Sequence, residues 1–219
     1  MYQRFCELVK NHSFFLFGPR GSGKTTLLHK IFHEEKAVFY DLLDAEVEEM
    51  FRTKPNQLSA LIDHLPEQIT HIIIDEIQKV PKLLDEVHRL IEKDKKKHFI
   101  LTCSSARKLK RGGANLLAGR AFVYNLFPLS VFELGDQFDM EHALHWGTLP
   151  KLFTLGEPKL KDQYLRAYTQ TYLKEEVWGE QIVGILHLFV SFWKLLLKAM
   201  ERSSTLQTFH AMLGSMRKP

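Results

Sequence analysis

Cysteine is scarce in this 219-residue chain: Cys6 and Cys103 are the only two. Two thiols cannot build a disulfide framework, which excludes the small stapled secreted scaffolds and leads us to expect a reducing, cytoplasmic setting. The amino terminus, MYQRFCELVKNHS, lacks an apolar core followed by small residues, so no secretory signal is read there. Neither sign of charge dominates, since 30 Lys and Arg face 26 Asp and Glu. A formal charge of +4 is too mild to argue for nucleic acid. Long apolar runs are missing too. The one lipophilic stretch, IVGILHLFVSFWKLLL (Ile182 to Leu197), is broken by His187 and Lys194 and falls short of the ~20 apolar residues of a membrane span. No membrane partner is expected. Internal repeats are absent. Lysine is locally dense in KDKKKH (Lys93 to His98) and ARKLKR (Ala106 to Arg111), runs that ordinarily form a solvated face. What is present is the 45% hydrophobic and 26% charged mixture of a globular protein, long enough for one large domain or one domain plus an appendage.

The most specific stretch is FLFGPRGSGKTTLLHK, from Phe15 to Lys30. Gly18, Gly23, Lys24 and Thr25 meet the pattern G-x-x-x-x-G-K-[ST], and the context is the required one. SFFLF before it reads as a buried strand, and TTLLHKIFH after it places Leu27, Leu28 and Ile31 at helical spacing. Strand, glycine loop and helix together make a phosphate cradle. The backbone from Gly18 through Pro19, Arg20, Gly21, Ser22 and Gly23 to Lys24, Thr25 and Thr26 curls so that its N–H groups meet phosphate oxygens at a helix N-terminus. Lys24 supplies a point charge, and the Thr25 hydroxyl can ligate Mg²⁺.

A second signal is HIIIDEIQKV, where Ile72 to Ile74 form a buried strand and Asp75-Glu76 sit at its carboxyl end. Ligands bind at that end of an open α/β sheet. An aspartate there can hold the Mg²⁺ shell, and the adjacent Glu76 can orient or deprotonate the water that attacks a γ-phosphate. A third strand, HFILTCSS, carries Thr102, Ser104 and Ser105 at its exit; each can hydrogen-bond phosphate or water, or equally start a turn. Further on, Gly112-Gly113 precede a strand candidate, AFVYNLF, flanked by Arg107, Arg111 and Arg120. An arginine given by a neighbouring subunit can stabilise transition-state charge, and Arg120 is the candidate, an internal salt bridge being its competitor. KAVFYDLLD adds a further strand, and PKLLDEVHRLIEKDKKK a helix with Leu83, Leu84, Val87, Leu90 and Ile91 on one face. Strands alternating with helices argue for an α/β fold, a mostly parallel sheet covered on both faces.

Taken in order, FGPRGSGKTTLL, IIIDEIQKVPKLLDEVHRLIE, ILTCSSARKLKRGGANLLAGRAF and LFPLSVFEL resemble the bacterial and archaeal AAA+-type P-loop ATPases that carry a C-terminal domain of unknown function. The resemblance covers roughly residues 1–183. It implies a P-loop sheet in which the acidic strand is not adjacent to the loop strand. It further implies Lys24 and Thr25 as phosphate and metal residues, Asp75 as the metal aspartate, Glu76 as the catalytic carboxylate, and Ser104 or Ser105 at the sensor position. The sequence departs from the pattern at Cys103, where glycine is expected, so a larger side chain stands next to the sensor position.

After Ser130 the pattern turns helical, and Tyr164, Leu165, Tyr168, Tyr172 and Leu173 make an aromatic stripe whose simplest role is packing against the preceding domain. We therefore expect an ATPase domain over 1–130, a helical lid or linker over 131–183, and a foreign tail over 184–219. The resemblance is good through TYLKEEVWGEQIV and then stops. GILHLFVS can be encoded so that the shifted frame reads N-L-A-P-F-R-K, and continuing permits NLAPFRKLLEVAAQSNGTIINF, which resembles the family's usual continuation. Most of those codons are a free choice. Two are not: Trp193-Lys194 forces a glutamate codon and Met200-Glu201 a glycine codon, both where that continuation wants them. A frameshift after Val183 is the expectation, a native hydrophobic helix the rival. On the frameshift reading the tail never evolved to pack, leaves an aggregation-prone apolar stretch, and replaces the family's C-terminal domain.

The expected activity is Mg²⁺-dependent hydrolysis of ATP, with a homo-oligomer as the form that shares arginines and a protein partner of unspecified kind. An ATP-sensing switch with negligible turnover and a DNA-associated ATPase using ARKLKR are the alternatives.

Overall fold

The structure, a computed structural model, describes residues 2–32, 36–104, 109, 117 and 119–172. Ser105, Arg107, Arg111, Leu173 and the tail 184–219 lie outside the described residues. The chain divides into two units, Met1–Thr169 and Gln170–Pro219, and the elements named below belong to the first except for the last three residues of the final helix.

Five short strands form one parallel sheet: β1 (Phe14–Phe17), β2 (Ala37–Asp41), β3 (His71–Asp75), β4 (His98–Cys103) and β5 (Phe122–Asn125). Their spatial order is β2-β3-β4-β1-β5. The loop strand β1 thus lies between β4 and β5, and the acidic strand β3 is separated from it by β4, as the resemblance implied.

Alternation of side chains along the strands builds two cores. Phe15, Phe17, Ile72, Ile74, Phe99 and Leu101 face one side. There they meet α2 (Ala45–Thr53), α3 (Gln57–Asp63) and α4 (Leu83–Lys93). Phe14, Leu16, Ile73 and Ile100 face the other, under α1 (Lys24–Ile31) through Leu27 and Leu28. All four β1 residues are buried, and each such side chain contributes about 1.5–3 kcal/mol on leaving water. A fully apolar run is what a strand covered on both faces requires. The expected apolar face of α4 is the observed one: Leu83, Leu84, Val87, Leu90 and Ile91 are all buried.

Between β5 and residue 172 the regular elements are helices. α5 (Val131–Leu134) starts on a capping box in which Ser130 and Glu133 satisfy each other's backbone N–H groups. α6 (Met140–Trp146) is capped by Asp139. α7 (Pro158–Tyr172) is held to α6 where Trp146 Nε1 donates to Asp162 at 2.9 Å and Lys161 lies over the Trp146 ring. Among the described residues no helix is long and apolar enough to cross a membrane.

The lysine run at 93–98 sits at the end of the sheet away from the glycine loop, and acids partner it. Lys93 pairs with Asp63 at 2.7 Å and Lys95 with Glu92 at 2.9 Å. The solvated face the sequence suggested is present for this run, with two of its lysines paired to acids.

Candidate functional site

The site begins where β1 ends. Gly18 continues the strand for one more contact, its N–H donating to the Cys103 carbonyl at 3.3 Å. A Cβ at Gly18 would stand 2.2 Å from the Leu126 carbonyl oxygen, so only glycine fits between β1 and the exit of β5. Gly21 and Gly23 have φ of +75° and +93°, the left-handed region that L side chains avoid. Between them the chain reverses, with Ser22 N–H donating to the Pro19 carbonyl at 3.2 Å, and enters α1 at Lys24. The first-turn N–H groups of that helix have no carbonyl one turn back to bond.

Lys24 is only 5% exposed. Its Nζ donates to the carbonyls of Gly18 at 2.8 Å and Pro19 at 3.4 Å, neutral acceptors that leave its charge uncompensated. The Ser22 hydroxyl is buried with no hydrogen-bond partner. A buried cation and an unused hydroxyl beside a nest of N–H groups fit an anion.

The acidic end of β3 stands opposite. Thr25 Oγ1 donates to Asp75 Oδ2 at 2.6 Å, and the Thr102 hydroxyl of β4 donates to Asp75 Oδ1. Thr102 Oγ1 in turn accepts the Glu76 N–H at 3.0 Å. Thr102 is wholly buried and committed at both its donor and its acceptor, so it braces the acidic pair and does not reach toward a ligand. Glu76 itself adopts φ 57°, ψ 45°, a conformation that costs a non-glycine residue about 1–2 kcal/mol. Its carboxylate accepts from the Gln78 side-chain amide, which is also 3.3 Å from Ser104 Oγ. Ser104 is therefore brought to the Glu76 side of the site. Cys103 points into the core, and its larger side chain is accommodated there.

These groups open on a cleft of ≈ 570 Å³, within the range of small-molecule sites. Arg20, Gly21, Gly23, Lys24, Thr25, Thr26 and Glu76 line it, so most of the expected residues converge. Five of its charged side chains are cationic (Arg4, Arg20, Lys24, Lys30 and Lys151) and one, Glu76, is acidic. Arg4 is ion-paired with Glu133, and the remaining excess of cationic side chains still favours a polyanion. Tyr2, Leu129 and Pro150 supply an apolar wall.

Arg120 is not brought to this cleft. It precedes β5, whose first residue pairs with Phe14, and so lies at the amino-terminal edge of the sheet while the loop leaves the opposite edge. There its Nε bonds Glu92, holding that carboxyl down at about 2 with help from Lys95. The salt bridge weighed as its competitor is present.

Two contributions were not anticipated from sequence. Arg4, from the N-terminal segment, donates to the Ser22 carbonyl at 2.6 Å. Tyr168 of α7 donates to the Arg20 carbonyl at 3.1 Å, and Tyr164 OH would stand 3.3 Å from a Cβ at Gly21. Two members of the aromatic stripe, Tyr164 and Tyr168, thus lie against the glycine loop itself. Burial there raises the Tyr164 phenol above its ordinary value. The S-x-x-E of the capping box was the one local signal available for Glu133; Arg4 had none.

A protein-family model described as an AAA domain matches residues 10–135, from just before β1 to just past α5. No curated protein matches the chain.

Proposed function

The chain belongs to the AAA-domain family, and from that membership and the chemistry of the cleft we propose that it binds ATP with Mg²⁺ and hydrolyses the γ-phosphate. The observation that carries the reading is the near-buried Lys24, whose charge only carbonyls meet. Triphosphate oxygens would take its Nζ and the loop N–H groups between Gly18 and Thr26, with Arg20, Gly21, Ser22 and Gly23 in the cradle and Pro19 shaping its entrance. Thr25 and Asp75 suit Mg²⁺, which demands few protein ligands and keeps waters and phosphate oxygens for the rest. When bound, the ion would neutralise charge on the phosphate oxygens.

In the chemical step, a water oxygen bonds to the γ-phosphorus as the bond to the β-bridging oxygen breaks, leaving ADP and phosphate. Glu76 orients that water and accepts its proton, Lys24 offsets charge on the leaving oxygen, and Ser104 hydrogen-bonds the transferred group. Arg120 would act on the site of a neighbouring copy. The division into an ATPase domain over 1–130, a helical lid over 131–183 and a foreign tail belongs to this proposal, as do the cytoplasmic setting and a protein partner.

One observation favours the slower reading, a nucleotide switch. Gln78 donates to one oxygen of the Glu76 carboxylate, which turns the group toward Gln78 and leaves a single oxygen for the attacking water. Phosphate release by wild type and Glu76→Gln, alongside ATP affinity, separates the two. Hydrolysis predicts release by wild type, a fall of at least about a hundredfold in the variant, and unchanged affinity. Binding without release by either protein supports the switch. No binding at all sinks both.

A further inference from the structure

The glycine loop is held at its two ends by two different cations. Lys24 holds the carbonyls of Gly18 and Pro19 at its start. Arg4, fourteen residues before the loop and outside every motif, holds its end. The Arg4 side chain is 8% exposed, and each of its nitrogens has a partner. Nε donates to Glu133 Oε1 at 2.9 Å, one terminal nitrogen to the Ser22 carbonyl at 2.6 Å, and the other to the Phe127 carbonyl. Glu133, 6% exposed, also accepts the Phe5 N–H at 2.9 Å and, through its second oxygen, the Ser130 N–H at 2.8 Å. The pair neutralises itself, so burying it is tolerable, and it joins the N-terminal segment, the loop, the exit of β5 and the start of α5.

The consequence follows from peptide geometry. In a trans peptide the carbonyl and the next N–H point in opposite directions. Holding the Ser22 carbonyl therefore fixes where the Gly23 N–H points, away from the guanidinium. Gly23, at φ +93° and with no Cβ, has little of its own to keep that peptide from turning over. We propose that Arg4, clasped by Glu133, is a positioning residue for the phosphate loop: it locks the Ser22–Gly23 peptide so that the Gly23 N–H is presented to a bound phosphate. The inference rests on the phosphate-loop reading above. Arginine is required because its planar fork reaches two carbonyls and a carboxylate at once, which a lysine ammonium at the same place cannot span.

The test titrates a fluorescent ATP analogue with Mg²⁺ into wild type, Arg4→Ala, Arg4→Lys and Glu133→Gln, with thermal melts showing that each is folded at the titration temperature. Arg4→Ala and Arg4→Lys should each weaken binding by about tenfold to a hundredfold, the loss of a charge-assisted hydrogen bond, and Glu133→Gln by several-fold. Millimolar guanidinium, far below denaturing levels, should restore part of the affinity of Arg4→Ala and leave wild type unchanged. A folded Arg4→Ala or Arg4→Lys that binds like wild type overturns the proposal, and so does weakened binding with no guanidinium rescue, which assigns the loss to general loosening. If Arg4→Ala fails to fold, Arg4→Lys and Glu133→Gln decide by the same affinities. Wild type failing to bind any nucleoside triphosphate overturns the phosphate-loop reading itself, a result distinct from wild type and variants binding alike.

Discussion

Thr25 and Asp75 lie fifty positions apart, yet the hydroxyl of one donates to the carboxylate of the other at 2.6 Å. The bond ties the first turn of α1 to the end of β3 and gathers an alcohol and a carboxylate where a small hard cation would sit. Both Asp75 oxygens accept from threonines, since Thr102 bonds the other. Asp75→Asn keeps the shape but removes the charge and puts an amide donor against one of those hydroxyls. Nucleotide affinity in Mg²⁺ and turnover should fall by roughly tenfold to a hundredfold, with little change in metal-free affinity. A Mg²⁺ titration of binding checks this, and a curve matching wild type removes Asp75 from the site.

Gly18→Ala should damage stability and site together. The new methyl would meet the Leu126 carbonyl at 2.2 Å and Ser22 Oγ at 3.0 Å. Leu126 cannot retreat freely, because its N–H donates to the Phe17 carbonyl at 2.7 Å. A loss of about 1–3 kcal/mol is expected in urea unfolding, with weaker nucleotide binding in the folded fraction. Unchanged stability would mean that β5 moves away more easily than its hydrogen bond suggests.

Acid should loosen the far edge of the sheet. His98 begins β4 beside His71, with ring centroids 5.6 Å apart. Its pKa is depressed below 6.5, first by burial and then by His71 and His12, against a smaller opposing pull from Asp94. A folded-state pKa below the unfolded one means that the unfolded chain binds the proton more readily. Stability is therefore full above the unfolded value and is lost as pH falls through the folded one. Melting temperatures taken from about pH 7.5 to about pH 5.5 should fall more for wild type than for His98→Gln. Parallel curves would clear His98 of any part in acid sensitivity.

Arg120→Ala is expected to spare ATP affinity and to lower turnover by about a hundredfold or more, but only at protein concentrations where copies associate. Glu92→Gln, which removes the charge of the Glu92 salt bridge, should leave turnover near wild type. Turnover measured against protein concentration is the check. Full activity of Arg120→Ala in a strictly monomeric enzyme would remove Arg120 from the catalytic machinery.

The frameshift reading of residues 184–219 makes a prediction about nucleic acid sequence. The coding DNA, read one base earlier from Gly184, should continue as an open frame with helical periodicity. An early stop in that frame, or no such continuation, ends the idea.

Much of this protein is legible in its sequence. The apolar runs at Phe14–Phe17 and Ile72–Ile74 announced strands buried on both faces, because nothing polar interrupts them. The glycine loop could be read because the constraints on it are local: φ of +75° and +93° at Gly21 and Gly23 are demands a sequence must meet residue by residue. The same holds for Lys24 and Thr25, which are placed by the first turn of the helix they begin.

What sequence alone determined was thus the class of fold, the phosphate-type loop and the acidic strand end, all set by periodicities and backbone demands spanning a few residues. Tertiary structure alone decided how distant segments close on that loop. Thr102 turned out to be buried under Asp75 and Glu76, because β4 lies between β1 and β3 and so brings its exit beneath the acidic pair. Glu76 took a left-handed backbone that no neighbouring residue type announces. Arg4 reached Ser22, and Tyr168 reached Arg20, across 18 and 148 positions of chain. A long side chain carries no trace in sequence of which carbonyl it will find, because that partner is set by the path of the whole chain and not by spacing along it.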